Sequence, residues 1–252
     1  MYDKLHKLLK DLEYLQPRPF IGYGNPDADI LIVGKECAEP EYLDKHKKIV
    51  NPNHEKFIKH NYEQWYKSFK ERGFTFGEGE PYDFEHGKFH PINPFYKLEN
   101  KKQTKSIKVG RPSSTWYWYQ RLIDKIKAGN AIEYKSSLYV DFFSHCFITE
   151  LNDICRPNNN DLSEQESKDT EIHIRQRFDW MRETNFFNQF KVVILACGPI
   201  YRKAIDENAL LEKELFGNAK IYRTKHQLCF WDKSLDNVIS EIHSLIKWPI
   251  SV

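Results

Sequence analysis

The sequence predicts an α/β fold, a three-layer α/β/α domain around a short, mostly parallel central sheet of four strands. Three observations predict it. Ile30-Leu31-Ile32-Val33 and Val192-Val193-Ile194-Leu195-Ala196-Cys197 are short continuous apolar runs bounded by turn signals, the pattern of strands buried on both faces. Amphipathic helical stretches alternate with such runs along the chain, which favours parallel strands with helices on both sides. The 252 residues are enough for one sizeable core and contain no internal repeat or low-complexity linker, so 1–252 is expected to form a single domain.

The elements follow in order. A first helix is expected from Tyr2 to Tyr14, where Leu5, Leu8, Leu9, Leu12 and Leu15 share a face; Pro17 and Pro19 end it, making 1–20 an N-terminal helical segment. Asn25-Pro26-Asp27-Ala28 turns the chain into the first strand, Asp29 to Val33, and Gly34-Lys35-Glu36-Cys37-Ala38 is then the loop at its carboxyl end. Phe57, Ile58, Trp65 and Phe69 stripe a helix from Asn53 to Arg72, with Gly73 as its stop. From 73 to 112, Gly, Pro and aromatic residues recur without a period, which predicts a long inserted loop of the kind that carries function. Ser113 or Ser114 caps a helix running to Lys127, with Trp116, Tyr119, Ile123 and Ile126 inward and Gly129 at its end.

Leu138 to Phe143 is expected as the second strand and Cys155 to Lys168 as a polar connection. Within that connection Ser163 and Glu166 are spaced as a capping box for a helix reaching to about Asn188. Val192 to Cys197 is the third strand, with Pro199 suited to open the next helix. Lys220 to Thr224 is the fourth strand, and Ser234 to Ile246 a closing amphipathic helix.

Composition narrows the function. The formal net charge of +2 means that binding to a polyanion depends on a local basic patch; Lys101, Lys102, Lys105 and Lys108 cluster near the end of the long loop, as a solvated face or, beside Arg111, as such a patch. Aromatic residues make up 15% of the chain, leaving many flat faces for packing or base stacking. No stretch approaches the roughly 18 apolar residues of a membrane span, and Met1 to His6 lacks the apolar core of a signal peptide. Five cysteines with no C-x-x-C spacing give neither a disulfide framework nor a zinc or iron–sulfur signature, so a reduced, cytoplasmic compartment is expected, with Cys146 and Cys197 as core residues. The histidine pairs His54/His60 and His86/His90 lack a metal ligand set, no phosphate-cradling glycine loop is present, and Ser144-His145 has no nucleophile-elbow glycines. No metal or cofactor is expected, and a monomer is.

Four short motifs, in order, resemble the uracil-DNA glycosylase superfamily from about residue 20 onward. Gly22 to Asp29, the following strand and Gly34-Lys35-Glu36-Cys37-Ala38 are similar to that family's first motif, with Glu36 where several members carry a water-activating Asp or Asn and Cys37 where the family has proline. Arg111-Pro112-Ser113-Ser114 resembles the proline-containing loop that presses on the DNA backbone. Leu138-Tyr139-Val140-Asp141 looks like the second strand, which often ends in a base-reading Asn. Lys225-His226-Gln227-Leu228 resembles the His-Pro-Ser loop, with His226 in the histidine's place and Gln227 and Leu228 departing from it.

The resemblance implies a DNA-glycosylase-like hydrolase that flips a damaged or deaminated base and cleaves its N-glycosidic bond. The chemistry agrees. Such a cleavage passes through an oxocarbenium-like state with negative charge growing on the departing base, so a carboxylate beside the sugar and a donor at the base both lower the barrier. Glu36 would position water, His226 stabilise the leaving base and Asp141 read it. An ionised Asp only accepts hydrogen bonds, so Asp141 either selects a base presenting N–H groups or is protonated by apolar surroundings. Phe74 or Phe76 would wall the base, Phe230 and Trp231 could wedge the stack, and Lys105, Lys108, Arg111 and Ser113 would meet phosphates. Each residue also has a plain structural reading: Glu36 as a surface carboxylate, His226 as a loop histidine, Asp141 as a strand end, the aromatics as core. Two other functions fit the departures Cys37, Asp141 and Gln227: a catalytically silent nucleic-acid-binding module, or an enzyme acting on a free nucleoside or nucleotide.

Overall fold

The computed structural model describes residues 3–16, 18–38, 42–43, 49–50, 61–72, 114–133, 142–156, 163–198, 209–225 and 233–248. Within them the fold is α/β. The helices are α1 (Asp3–Asp11), α2 (Asn61–Arg72), α3 (Ser114–Ala128), α4 (Glu164–Glu183), α5 (Ala209–Phe216) and α6 (Ile239–Leu245). The strands are β1 (Tyr23–Gly24), β2 (Ile30–Ala38), β3 (Tyr42–Leu43), β4 (Ile49–Val50), β5 (Cys146–Arg156), β6 (Val192–Leu195) and β7 (Lys220–Arg223). The main sheet runs β1-β5-β2-β6-β7. Pairings β5–β2, β2–β6 and β6–β7 are parallel, and β1 closes the β5 edge antiparallel. β3 and β4 form a separate antiparallel pair.

The alternation of the strands sorts their side chains into two cores. Leu31, Val33, Phe147, Leu151, Val193 and Leu195 pack with the leucines of α1, Tyr62 and Trp65 of α2, Ile174, Phe178 and Met181 of α4, and Leu215 and Phe216 of α5. Their strand neighbours Ile30, Ile32, Cys146, Ile148, Val192 and Ile194 pack with Tyr119, Leu122, Ile123 and Ile126 of α3 and with Ile239 and Ile242 of α6. Because period-2 alternation sends successive residues to opposite faces, uninterrupted aliphatic runs in β2 and β6 are what a sheet covered on both sides requires.

Several expectations hold and several are corrected. The strands at Ile30, Val192 and Lys220, the helix from Ser114 and the capping box of Ser163 and Glu166 are present. Gly129 ends α3 in the left-handed region, φ 66°. The sheet has five strands, not four: the β1 edge and β5, at Cys146–Arg156, were not among the expected strands, and residues 138–141 of the strand expected at Leu138–Phe143 lie outside the described residues. Phe142–Ser144 is instead a 3₁₀ turn, its first N–H captured by the buried Gln120 Oε1 at 2.9 Å and its carbonyl closed by His145 N. The polar connection expected from Cys155 begins later, because β5 runs to Arg156. Gly34–Ala38 is not a loop but the second half of β2, held by its pairing with β5. α4 stops at Glu183, with Asn185 at φ 53° turning the chain, and 234–238 is a run of turns before α6. Between β6 and β7, where a helix was expected to open at Pro199, the described helix is α5, Ala209–Phe216. The expected helix start at Asn53, the 73–112 loop and Pro199 lie outside the described residues.

The β1 edge depends on glycine. Gly22 has φ 135°, and a Cβ on it would sit 2.2 Å from the Ile148 carbonyl oxygen. Its own carbonyl accepts from Trp65 Nε1 at 2.8 Å and Asn61 Nδ2 at 3.0 Å, while Asn61 Oδ1 accepts from the Ile21 and Gly22 N–H groups. No L side chain fits a left-handed backbone pressed on a neighbouring strand. Gly22→Ala is therefore expected to destabilise the fold by at least about 2 kcal/mol. Ser163→Ala, which removes only the α4 cap, should cost about 1 kcal/mol. Urea midpoints of the two variants check the order; equal or reversed losses would contradict it.

Candidate functional site

The two central parallel strands carry their polar residues at their carboxyl ends. In the β2–β5 register Gly34 lies opposite Glu150 and Glu36 opposite Asn152. Along β5 the apolar alternation of Cys146 to Ile148 gives way to Thr149, Glu150, Asn152 and Asp153. Thr149, Glu150 and Asn152 are buried. In open α/β sheets this edge is where ligands and chemistry are placed.

Glu150 and Asn152 share one face of β5. Glu150 Oε1 accepts from the Tyr23 hydroxyl at 3.3 Å, and the Tyr23 ring packs edge-on against Phe143, centroids 5.8 Å apart. The Glu150 carboxylate lies across β2: a Cβ on Gly34 would come within 2.1 Å of Oε2. Gly34 is thus required for space and not for a turn. A carboxylate taken out of water this far needs polar neighbours, and the bare backbone of Gly34 lets it reach them.

The opposite face of β5 carries a charged network. Arg177 of α4, 1% exposed in its side chain, donates from Nε to the Glu150 carbonyl at 3.1 Å and from Nη2 to Thr149 Oγ1 at 2.9 Å. Its Nη1 faces Asp153 Oδ2 at 3.3 Å. Asp153 Oδ2 also accepts from the Phe20 N–H at 3.0 Å, and Asp153 Oδ1 meets His173 Nε2 at 2.5 Å. The guanidinium lies over the Trp180 ring, 4.6 Å from its centroid. Burial alone would raise the Asp153 pKa. The Arg177 charge, the His173 hydrogen bond and the Phe20 N–H together outweigh burial and hold the carboxyl well below the ordinary carboxylate range.

A third buried group lies on α3. Gln120 Nε2 donates to Asp124 Oδ1 at 2.9 Å while Gln120 Oε1 holds the N–H of Phe142. It therefore anchors the backbone directly after Asp141.

Of the residues singled out in the sequence, Glu36 stands on β2 in register with Asn152. Asp141, His226, Phe74, Phe76, Phe230, Arg111, Ser113, Lys105 and Lys108 lie outside the described residues. Reading the sequence missed Glu150, Asn152, Asp153, His173 and Arg177. Their signal was present: Thr149-Glu150-Leu151-Asn152-Asp153 interrupts an apolar strand with polar residues, and His173 and Arg177 are one helical turn apart on the side of α4 that carries Ile174 and Phe178. Among the described residues no group of three or more His, Cys, Asp or Glu side chains is gathered to hold a metal ion, and no helix is long and apolar enough to cross a membrane. The chain matches no protein-family model, no curated protein and no solved structure.

Removing Arg177 leaves the Asp153 carboxylate buried without its cation. Arg177→Met is expected to lose about 3–5 kcal/mol, as for other broken buried pairs. Because Asp153 binds its proton less tightly when folded than the ordinary value of 3.8, it contributes stability that is complete above about pH 4 and is lost as the pH falls below that. Asp153→Asn should flatten this acid limb in pH-dependent denaturation. An unchanged limb would show that Asp153 is not its source.

Proposed function

We propose that this chain is a hydrolase of N-glycosyl bonds in DNA, with a uracil-DNA-glycosylase-like fold, which extrudes a damaged or deaminated base and cleaves it from its sugar. The observation that carries this reading is the β2–β5 register, which sets Glu36 beside Asn152 at the carboxyl edge of two adjacent parallel strands, next to the buried Glu150. Glu36 positions the water and offsets positive charge at the anomeric carbon. His226, following β7 on the same sheet, donates to the departing base and stabilises its growing negative charge. Asp141, whose next residue is anchored through Gln120, reads an N–H edge of the extruded base. Phe74 or Phe76 walls it, and Lys105, Lys108, Arg111 and Ser113 hold the phosphates while the base is out of the stack.

The test is direct. Single- and double-stranded oligonucleotides carrying uracil, hypoxanthine or xanthine are incubated with the protein and treated with alkali. Strand breaks at the lesion are expected. Glu36→Gln should abolish them while leaving oligonucleotide binding nearly intact, and His226→Ala should slow them. Binding should weaken steeply with added salt, as neutralised phosphates release counterions. Salt-sensitive binding without any break on any lesion would make the chain a silent binding module. Hydrolysis of free nucleosides with no oligonucleotide binding would move the substrate out of DNA.

A further inference from the structure

We propose that the Tyr222 hydroxyl is the specificity-determining donor of the site, bonding the carbonyl oxygen at the far edge of the extruded base. This rests on the N-glycosyl hydrolase reading above and names the group that tells uracil from cytosine and hypoxanthine from adenine. Tyr222 stands on β7 in register with Ile194, which pairs with Ile32, which pairs with Ile148. All four pack on the face covered by α3 and α6. Glu150 and Asn152 follow Ile148 along β5 at two-residue steps, and their register partners Gly34 and Glu36 follow Ile32 along β2 in the same way. Strand alternation therefore puts Tyr222 on the face of the sheet that carries the candidate site.

The Tyr222 hydroxyl is sealed from solvent and has no hydrogen-bond partner, in a residue only 7% exposed. Among the described residues, the other unpartnered side-chain atoms of this kind belong to partly exposed residues; this one lies in the core. Buried hydroxyls are normally paired, because an unmet one has given up its bonds to water for nothing. Phenylalanine would fill the same space without that loss, so the hydroxyl does not serve the free protein. A ligand that brings an acceptor accounts for it. Burial also pushes the Tyr222 pKa above its ordinary value of 10.0, so at neutral pH the group is an O–H donor.

The depth suits a base. Ile32, in the row of Tyr222, lies four residues before Glu36 on β2, about 13 Å at the rise of a strand. Between Tyr222 and the Glu150 carboxylate, which lies over Gly34, the intervening strand contributes only the methyl group of Ala196, continuing β6 beside Gly34. A nucleotide whose sugar meets the water at Glu36 extends its base down this face, and the edge remote from the sugar arrives at Tyr222. In uracil, hypoxanthine and xanthine that edge carries a ring N–H beside a carbonyl oxygen. The N–H is the group assigned above to Asp141, and the carbonyl falls to Tyr222. Cytosine and adenine have an amino group in place of the carbonyl. The hydroxyl could only accept from it, leaving its own hydrogen unpaired in a dry site.

Tyr222→Phe tests this through effects of opposite sign. In the free protein its thermal midpoint should equal or exceed that of wild type, since an unmet hydroxyl is removed. On oligonucleotides carrying uracil or hypoxanthine its kcat/KM should fall about 10–100-fold, the loss expected of one buried hydrogen bond. Free uracil and hypoxanthine should raise the thermal midpoint of the wild-type chain where cytosine and adenine do not, and the variant should lose that difference. A lowered midpoint in the free variant, or an unchanged kcat/KM, would overturn the role of Tyr222 while leaving the hydrolase standing. Base-selective binding that the variant loses, in a chain that cleaves none of the lesions, would keep Tyr222 as the reader and overturn the hydrolase. A chain that neither binds these bases nor cleaves the lesions would overturn both.

Discussion

A guanidinium held away from water at the middle of a sheet face dictates much of what surrounds it. Arg177 reaches from α4 onto β5 and makes three separate polar contacts there. A buried cation is tolerated only where its donors are met by acceptors and its charge by an anion. Asp153 supplies the anion, Thr149 and the Glu150 carbonyl supply acceptors, and the Trp180 face covers the planar group. Thr149 Oγ1 in turn donates to the Ile21 carbonyl at 3.0 Å, and Asp153 receives the Phe20 N–H. The lead-in to β1 is therefore bound to the same strand that Arg177 clasps, so α4, β5 and the 20–22 segment form one polar unit within an apolar core.

That unit explains the other face of β5 as well. With Thr149 and Asp153 committed to α4, strand alternation leaves Glu150 and Asn152 for the side covered by α3 and α6. Glu150 can be accommodated there only because Gly34 has no side chain to occupy the space its carboxylate takes. Tyr23, brought alongside by the antiparallel β1–β5 pairing, offers the hydroxyl it accepts. A single strand thus has polar groups on both faces at its carboxyl end, and each face is made possible by a different element.

The parts of the fold legible in the sequence are those where local pattern and tertiary role agree. β2 and β6 are unbroken aliphatic runs because both faces are covered, and α3 and the α4 cap follow periodicity and spacing that need no partner to interpret. β5 was not legible for the opposite reason. Its Thr149-Glu150-Leu151-Asn152-Asp153 segment reads as polar until Arg177, Tyr23 and Gly34, all distant in sequence, are placed around it. Phe142-Phe143 misled in the other direction, an apolar pair bent into a 3₁₀ turn by a side chain 22 residues away. Of the candidate site, Glu36 was legible as a residue following an apolar strand, although the strand continues through it.

The distribution of charge bears on where a polyanion can be met. On the solvent side of α4, Lys168 pairs with Glu164, Arg175 with Glu171, and Arg182 with Asp179 and with Glu214 of α5. Elsewhere Lys125 pairs with Asp236, Lys191 with Asp29, Lys220 with Glu241 and Arg18 with Glu63. Exposed pairs of this kind add little stability, but each cancels a positive charge that a phosphate backbone would otherwise feel. With a formal net charge of only +2 over 252 residues, the α4 face is a poor surface for DNA. On the function proposed above, the positive charge that phosphates require comes from elsewhere. In the sequence one source is the run of Lys101, Lys102, Lys105, Lys108 and Arg111, which precedes α3 at Ser114. Since α3 covers the face of the sheet that carries Glu150 and Asn152, the basic run is joined in the chain to the helix on the site's own side.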